Sequence, residues 1–478
     1  MRLYKTILLL SAAFIFLSTF SACTSDNYEN DDTAEQVLTL LVPHYYYRVV
    51  RQAERSMAQA LYANGIVFRA EISQYNMYEE GMIDFHMRLR TMLMAGQAYD
   101  IFFWDYHPLR SYAYNGFLTD IYTLIDQHPT TSREDFFTNI LEAYEFNGGL
   151  YAFPLTFGFE YIGVNAALPQ SIVDSFKAYD FITLNEIFYL YMDLRREYGV
   201  DFSHLDLGNS GNLRDPFTAM LIAFGEYIDL DNRVSYLNTN SFVYFLEDIS
   251  HIFGGRGLSV YIRTGAEPTP SYMEWAPEYY AFLNLSQSFS PLVAMFDMVE
   301  PDFLHFIPLT NDDGKLIVDP TMGRGRWPTW GVVCLPTAGN SELAWEFIQY
   351  LIPTILNPRD SSDSAQRNMM SSLTIPISRA HFRPHIERVL RGLNAYPRRD
   401  WLIPFVGIHD DSDWDEALEN AVNRLEALSE MPAAIIEMDV MWPIVNNPGA
   451  VEQFILGLAT AETTAQELHN IISLWLIE

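Results

Sequence analysis

Eight side chains stand out as able to hold a polar, ring-shaped solute: Tyr46, Tyr47, Trp104, Asp105, Phe157, Glu160, Trp327 and Trp330. Each lies beside the end of an expected strand or chain crossing. Aromatic faces next to carboxylates suit a molecule with an apolar C–H face and a hydroxyl rim. The supply of such groups is large, since 15% of residues are Phe, Tyr or Trp. Many of them, such as Phe136, Phe137, Phe181 and Phe188, sit at core periodicities and read as packing.

Covalent and metal chemistry find weaker support. Glycoside hydrolysis needs two carboxyl groups flanking the bond, one of them held protonated. Asp100 and Asp105 are five residues apart, but Asp100 opens its strand and so sits at the end away from a ligand crevice. His381 and His385 in HFRPH have ligand spacing, yet Pro384 falls between them with no acidic partner, and they read as surface histidines. The run Asp410, Asp411, Asp413, Asp415, Glu416 lacks the calcium-loop glycine and has Val422 at the twelfth position, so it reads as an acidic helix start leading to Ala417, Val422 and Leu425. Cys334 in WGVVCLP has the setting of a buried strand thiol. No Gly-x-Ser-x-Gly elbow and no phosphate-cradling loop is present. No catalytic residue, metal or cofactor is therefore expected.

The elements that must position the eight residues begin with Val37–Val42, a continuous apolar run typical of a strand buried on both faces. Val50, Ala53, Met57 and Leu61 then recur at helical spacing and stop at Asn64-Gly65. A second strand alternates through Ile66, Phe68, Ala70 and Ile72. A second helix carries Met82, Phe85, Leu89, Met92 and Leu93 up to Gly96, and Asp100–Phe103 forms a third strand. This βαβαβ order predicts an open parallel sheet with ligands beyond its carboxyl edge, where Tyr45–Tyr47 and Trp104-Asp105 fall. Further on, Leu184, Ile187, Phe188, Tyr191 and Leu194 have helical spacing, and a Thr464-x-x-Glu467 capping box is expected to open the last helix.

Before all of this, Arg2 and Lys5 precede a 14-residue apolar run, Ile7–Phe20, too short to span a bilayer and of the length of an export signal. It ends in Phe20-Ser21-Ala22-Cys23 ahead of the acidic stretch TSDNYENDDTAEQ, which resembles a bacterial lipoprotein signal; the usual Leu of that pattern is Phe20 here. The resemblance implies that Cys23 carries lipid and begins the mature chain. No disulfide framework is then possible, because Cys334 is the other cysteine. The formal charge of −32 becomes −34 once residues 1–22 are removed, which argues against nucleic-acid binding.

The stretch MLMAGQAYDIFFWD, Met92–Asp105, resembles the signature of extracellular solute-binding proteins of bacterial ABC importers, in the maltose-binding-protein-like family 1 that binds sugars. Three further segments resemble that family in the right order: NGFLTDIYTLID (Asn115–Asp126), NGGLYAFPLTFGFEYIGVN (Asn147–Asn165) and ELAWEFIQYLI (Glu342–Ile352). The segment from Pro448 to Ile472 resembles the family's terminal helix more loosely.

The resemblance implies an α/β chain with a two-lobed type II periplasmic-binding-protein fold, each lobe a mostly parallel sheet flanked by helices, joined by crossing strands. Residues 1–22 would be the signal, 23–35 the tether, 36–155 with about 295–330 the first lobe, and about 160–290 with 335–478 the second. Crossings are expected at Pro154–Asn165, Pro291–Val299 and Trp330–Leu335. The implied activity is capture of a carbohydrate or oligosaccharide between the lobes by a monomer anchored outside the cell membrane, and its delivery to ABC permease subunits, without catalysis. A peptide or other polar-solute receptor of the same fold, and a surface-anchored glycoside hydrolase or lyase, are the alternatives.

Overall fold

Alternation and helical spacing in the amino-terminal part translate directly into structure. The computed structural model describes residues 35–75, 82–97, 99–103, 109–159, 161–165, 171, 174–175, 178–183, 186, 227–230, 232–253, 284–286, 303–319, 331–356, 375–394, 414–435, 443–444, 449–455 and 457–477. Strand β1 spans Glu35–Pro43 and buries Leu38, Leu40, Leu41 and Val42. Helix α1, Tyr47–Tyr62, buries Val49, Val50, Ala53 and Met57 and packs beside the helix Ser341–Ile355. Strand β2, Val67–Tyr75, buries Phe68, Ala70 and Tyr75; helix α2 is Met82–Met94 and β3 is Ile101–Phe103. Both β2 and β3 run parallel to β1, giving the order β2-β1-β3.

Two later segments complete this first sheet. Val332–Cys334 pairs antiparallel with β3, and Phe153–Pro154 pairs antiparallel with Val332-Val333. Cys334 is a buried thiol, as its neighbours predict.

Asp100 holds the amino end of this sheet together. Its carboxylate accepts from Thr39 N at 2.6 Å, Thr39 Oγ1 at 2.7 Å and Asn340 N at 2.6 Å. Asn340 in turn caps the helix Ser341–Ile355 by accepting from Leu343 N at 3.2 Å. Gly339 is required for this approach, because a Cβ there would lie 2.8 Å from the Asp100 Cα.

The chain leaves the first sheet at Leu155. Thr156–Phe159 pairs instead with Leu316–Asp319 and Ile375–Pro376, in a second sheet that also holds Tyr161–Asn165, Asn284–Ser286 and Phe303–Thr310. Most of its pairs are antiparallel, which corrects the expectation of a mostly parallel sheet in each lobe: the chain enters and leaves this sheet in both directions, and only Ile182-Thr183 and Ala433–Ile435 join it in parallel. Three segments meet at the crossing point. The Leu155 N–H donates to Gly331 O, and Ile377 N donates to Leu155 O at 3.2 Å. The chain leaves the first sheet within the segment Pro154–Asn165, whereas Val332–Cys334, inside the expected crossing Trp330–Leu335, is a strand of the first sheet. The segment 291–299 lies outside the described residues, and the crossing at Ile375–Arg379 had no sequence signal.

Two lobe boundaries need correction. Phe303–Thr310 and Leu316–Asp319, expected in the first lobe, belong to the second sheet. Ser341–Ile355, expected in the second, packs on the first: Trp345 meets Phe136 and Phe153 edge-on, at 6.3 and 5.2 Å, and Phe347 reaches Phe68. The physical reason is that an apolar stripe states that a helix is covered, not which sheet covers it.

The carboxyl-terminal helix, Ala461–Ile477, packs on Asn240–Phe253 and on the strand Val234-Ser235. Its cap is Thr460, whose Oγ1 accepts from Thr463 N at 3.3 Å; Thr464, expected to cap, is buried inside the first turns. His385 is also buried, on the core side of helix Arg379–Asn394, with its Nδ1 2.8 Å from the Arg388 guanidinium, so the surface reading of that histidine is corrected too.

Candidate functional site

In the order β2-β1-β3 the chain passes from β1 out to β2 and then crosses to β3 on the other side of β1, which makes the carboxyl ends of β1 and β3 the switch point where an open sheet leaves a crevice. The floor there is an aromatic layer. Tyr46, in the 3₁₀ turn His44–Tyr46 that follows β1, stacks on Phe103 with ring centroids 4.8 Å apart. Tyr75, at the end of β2, stacks on Phe85 at 4.3 Å and points its hydroxyl toward Phe103 O, 3.5 Å away. His86 lies beside this layer on α2, and burial pushes its pKa down to about 4, so it is neutral at pH 7.

Tyr46 is therefore a packing residue, 2% exposed, and the expectation that it meets ligand is corrected. The same holds for Phe157, wholly buried edge-on between Phe137 and Phe159 at 5.7 Å from each. A residue beside a strand end or crossing can point into the core as readily as into a crevice. Tyr47 is half-buried, and its hydroxyl accepts from Arg51 Nε at 3.2 Å. Trp104, Asp105, Glu160, Trp327, Trp330 and Cys23 lie outside the described residues.

Sequence reasoning missed the network around Arg51. β2 is the edge strand, and its exposed backbone needs partners. Glu54 Oε1 accepts from Ala70 N at 2.7 Å, while Arg51 Nη1 donates to Ala70 O at 3.0 Å and to Glu54 Oε2 at 2.6 Å. The bond to Glu54 holds the Arg51 guanidinium pKa above its ordinary value. The Arg-x-x-Glu spacing on α1 was the available signal.

Asp100, the one described member of the conceivable carboxyl pair, is saturated by three donors at the amino end of the sheet, away from the crevice. The described part of this edge is thus an aromatic layer sealed in the core, with Tyr47 half-buried beside it.

No known family profile and no curated protein matches the chain. Solved structures do. A periplasmic oligogalacturonide-binding protein from Yersinia enterocolitica superposes with a TM-score of 0.54 at 13% identity, covering 92% of this chain and 100% of its own. The sugar-binding protein MalE from Xanthomonas citri gives 0.52 at 14%, covering 92% and 98%. The chain has the two-lobed periplasmic-binding-protein fold. A periplasmic solute-binding protein from Pectobacterium atrosepticum gives 0.50 at 14% identity, with 93% and 99% covered. In this fold the two sheets are the cores of the two lobes, and Leu155, Gly331 and Ile377 lie where the chain passes between them.

Proposed function

We propose that the chain is an extracytoplasmic solute-binding receptor that captures a carbohydrate or oligosaccharide between its lobes and delivers it to ABC permease subunits. The observation that carries this reading is the passage of the chain between two sheets at Leu155, with an aromatic floor closing the carboxyl ends of β1 and β3. The Yersinia protein binds oligogalacturonides and the Xanthomonas protein binds sugars, which supports the ligand class. The first lobe then comprises 35–154 with 331–356. The described residues of 156–319 and 443–477 make up the second, and those of 375–435 bridge the two. Lipidation at Cys23 holds the monomer to the outer face of the membrane.

In sequence, Trp104 and Asp105 directly follow β3, Tyr47 follows the turn after β1, and Glu160, Trp327 and Trp330 adjoin the crossing segments. Binding uses the indole of Trp104 as a platform and the Asp105 carboxylate as an acceptor from hydroxyls; no bond in the ligand is broken. The test is a thermal-shift and product-analysis panel of maltotriose, cellotriose, xylotriose and trigalacturonate, with tri- and tetra-alanine as peptides. A raised melting temperature with no product supports the receptor, turnover of any member supports a glycoside hydrolase or lyase, and stabilisation by peptides alone would move the ligand class. Trp104→Ala is expected to weaken binding at least tenfold, about 1.4 kcal/mol, with little change in unliganded stability.

A further inference from the structure

The Arg51–Glu54 pair does for Ala70 what a neighbouring strand would do. β2 is the outer strand of the first sheet, and among the described residues no strand pairs with it on the side away from β1. Ala70 turns its N–H and C=O to that side, where side chains of α1 take both: Glu54 Oε1 accepts from Ala70 N at 2.7 Å, and Arg51 Nη1 donates to Ala70 O at 3.0 Å. One acceptor and one donor offered to a single residue is the pattern that a facing residue of an antiparallel strand supplies. The ion pair between Arg51 Nη1 and Glu54 Oε2, at 2.6 Å, and the bond from Arg51 Nε to the Tyr47 hydroxyl hold the two side chains in place. Backbone alternation points the N–H and C=O of Phe68 and Ile72 to the same side, so the pair stands near the middle of a strand edge.

The exposed face of β2 shows what that edge fits. Arg69 and Glu71 lie side by side on it, with Arg69 Nη1 2.5 Å from Glu71 Oε1 and Arg69 Nε 2.8 Å from Glu35 Oε1. Two copies of β2 placed antiparallel, with Ala70 facing Ala70, set each Arg69 opposite the Glu71 of the second copy. On the core side the same register sets Phe68 opposite Ile72. A slip of two residues, the smallest that keeps outward-facing residues opposed, sets Arg69 against Arg69 or Glu71 against Glu71. Charge therefore selects one register, and Ala70 is its centre. We infer that β2 is a self-complementary edge for a second copy of this chain, and that Arg51 and Glu54 guard it by occupying the central residue. The guard keeps the chain monomeric while its exposed charges stay complementary. This inference is independent of the receptor reading and involves no ligand.

The test is sedimentation velocity at rising protein concentration, in a Cys23→Ala background so that no lipid gathers the copies. The unguarded variant Arg51→Ala/Glu54→Ala is expected to reach twice the monomer mass, while the guarded chain stays at the monomer mass. Adding Glu71→Arg, which sets Arg69 against a second cation, is expected to return the unguarded variant to the monomer. Reversing the pair with Arg69→Glu/Glu71→Arg is expected to restore the dimer. Circular dichroism checks that each variant is folded. Should the double variant not fold, Glu54→Ala alone, which uncovers the Ala70 N–H and keeps Arg51, carries the same expectation. A folded unguarded variant that stays monomeric at every concentration overturns the proposal. So does a dimer that persists with Glu71→Arg, because the contact then lies elsewhere, and so does a guarded chain that dimerises to the same extent.

Discussion

Asp100→Asn separates a structural carboxylate from a catalytic one. The carboxylate accepts three bonds, two from Thr39 on one oxygen and one from Asn340 N on the other. An asparagine has one acceptor oxygen, so its amide must turn an N–H against either Thr39 or the Asn340 N–H. One bond to a charged group is lost outright, and those that remain lose their charge assistance. Such bonds are worth about 1.5 to 3 kcal/mol each when buried, and the Asn340 bond is exposed, so the expected loss is about 2 kcal/mol of unfolding free energy. Urea unfolding at pH 7 reads this directly, and hydrogen exchange at the Thr39 and Asn340 amides should quicken with it. A carboxylate belonging to a hydrolytic pair would behave in the opposite way: the variant would keep its stability and lose turnover. An unfolding free energy within about 0.5 kcal/mol of wild type would refute the structural assignment.

Gly331→Ala should weaken ligand-driven closure, because the new Cβ would lie 2.8 Å from Thr156 Oγ1 at the crossing; adding Thr156→Ala removes that atom and should restore closure, as scattering with and without ligand would show. His86 has a folded pKa of about 4 against about 6.5 unfolded, so its contribution of about 3 kcal/mol is complete above pH 6.5 and is lost as pH falls toward 4. Burial also lowers the pKa of His381, and loss of that contribution runs in the same direction; His86→Leu should therefore flatten the acid limb of urea-midpoint measurements without abolishing it. Tyr46→Ala should cost about 3 to 5 kcal/mol in unfolding, since it empties the stack on Phe103. Cys23→Ala should yield an exported protein found in the soluble fraction; unchanged membrane retention would contradict lipidation.

The scaffold was legible because its signature residues are structural. In NGFLTDIYTLID, Asp120 caps the helix Ile121–Gln127 by accepting from Tyr122 N at 3.0 Å, and the same oxygen accepts from Leu150 N at 2.9 Å. One carboxylate thus ties the second family-like segment to the third. In ELAWEFIQYLI, Trp345 and Phe347 fill the first core, while Glu346 lies outside it, 3.1 Å from His128. Capping and packing of this kind leave spacing rules in the sequence. The lobe assignments left none, since Leu316–Asp319 and Val332–Cys334 are equally apolar strands in different sheets.

The aromatic residues after β1 show how finer reading could have sorted the site. Tyr46 and Tyr47 carry the same side chain at the same strand end, and proximity to that end ranks them equally. The turn His44–Tyr46 is 3₁₀, where positions three apart eclipse one another. His44 and Tyr47 therefore share one side of the turn, and both keep contact with solvent, whereas Tyr46 turns inward onto Phe103. Pro43 directly before the turn, with φ −58°, was a local sign that the strand does not run on at its full extension. Had the turn been read as three residues per repeat, Tyr46 would have gone to the core and Tyr47 to the rim. On the proposed receptor reading, ligand contacts on this lobe are then to be sought with Tyr47 on the outer side of the turn and in the residues following Phe103, and not in the aromatic floor that those strands share.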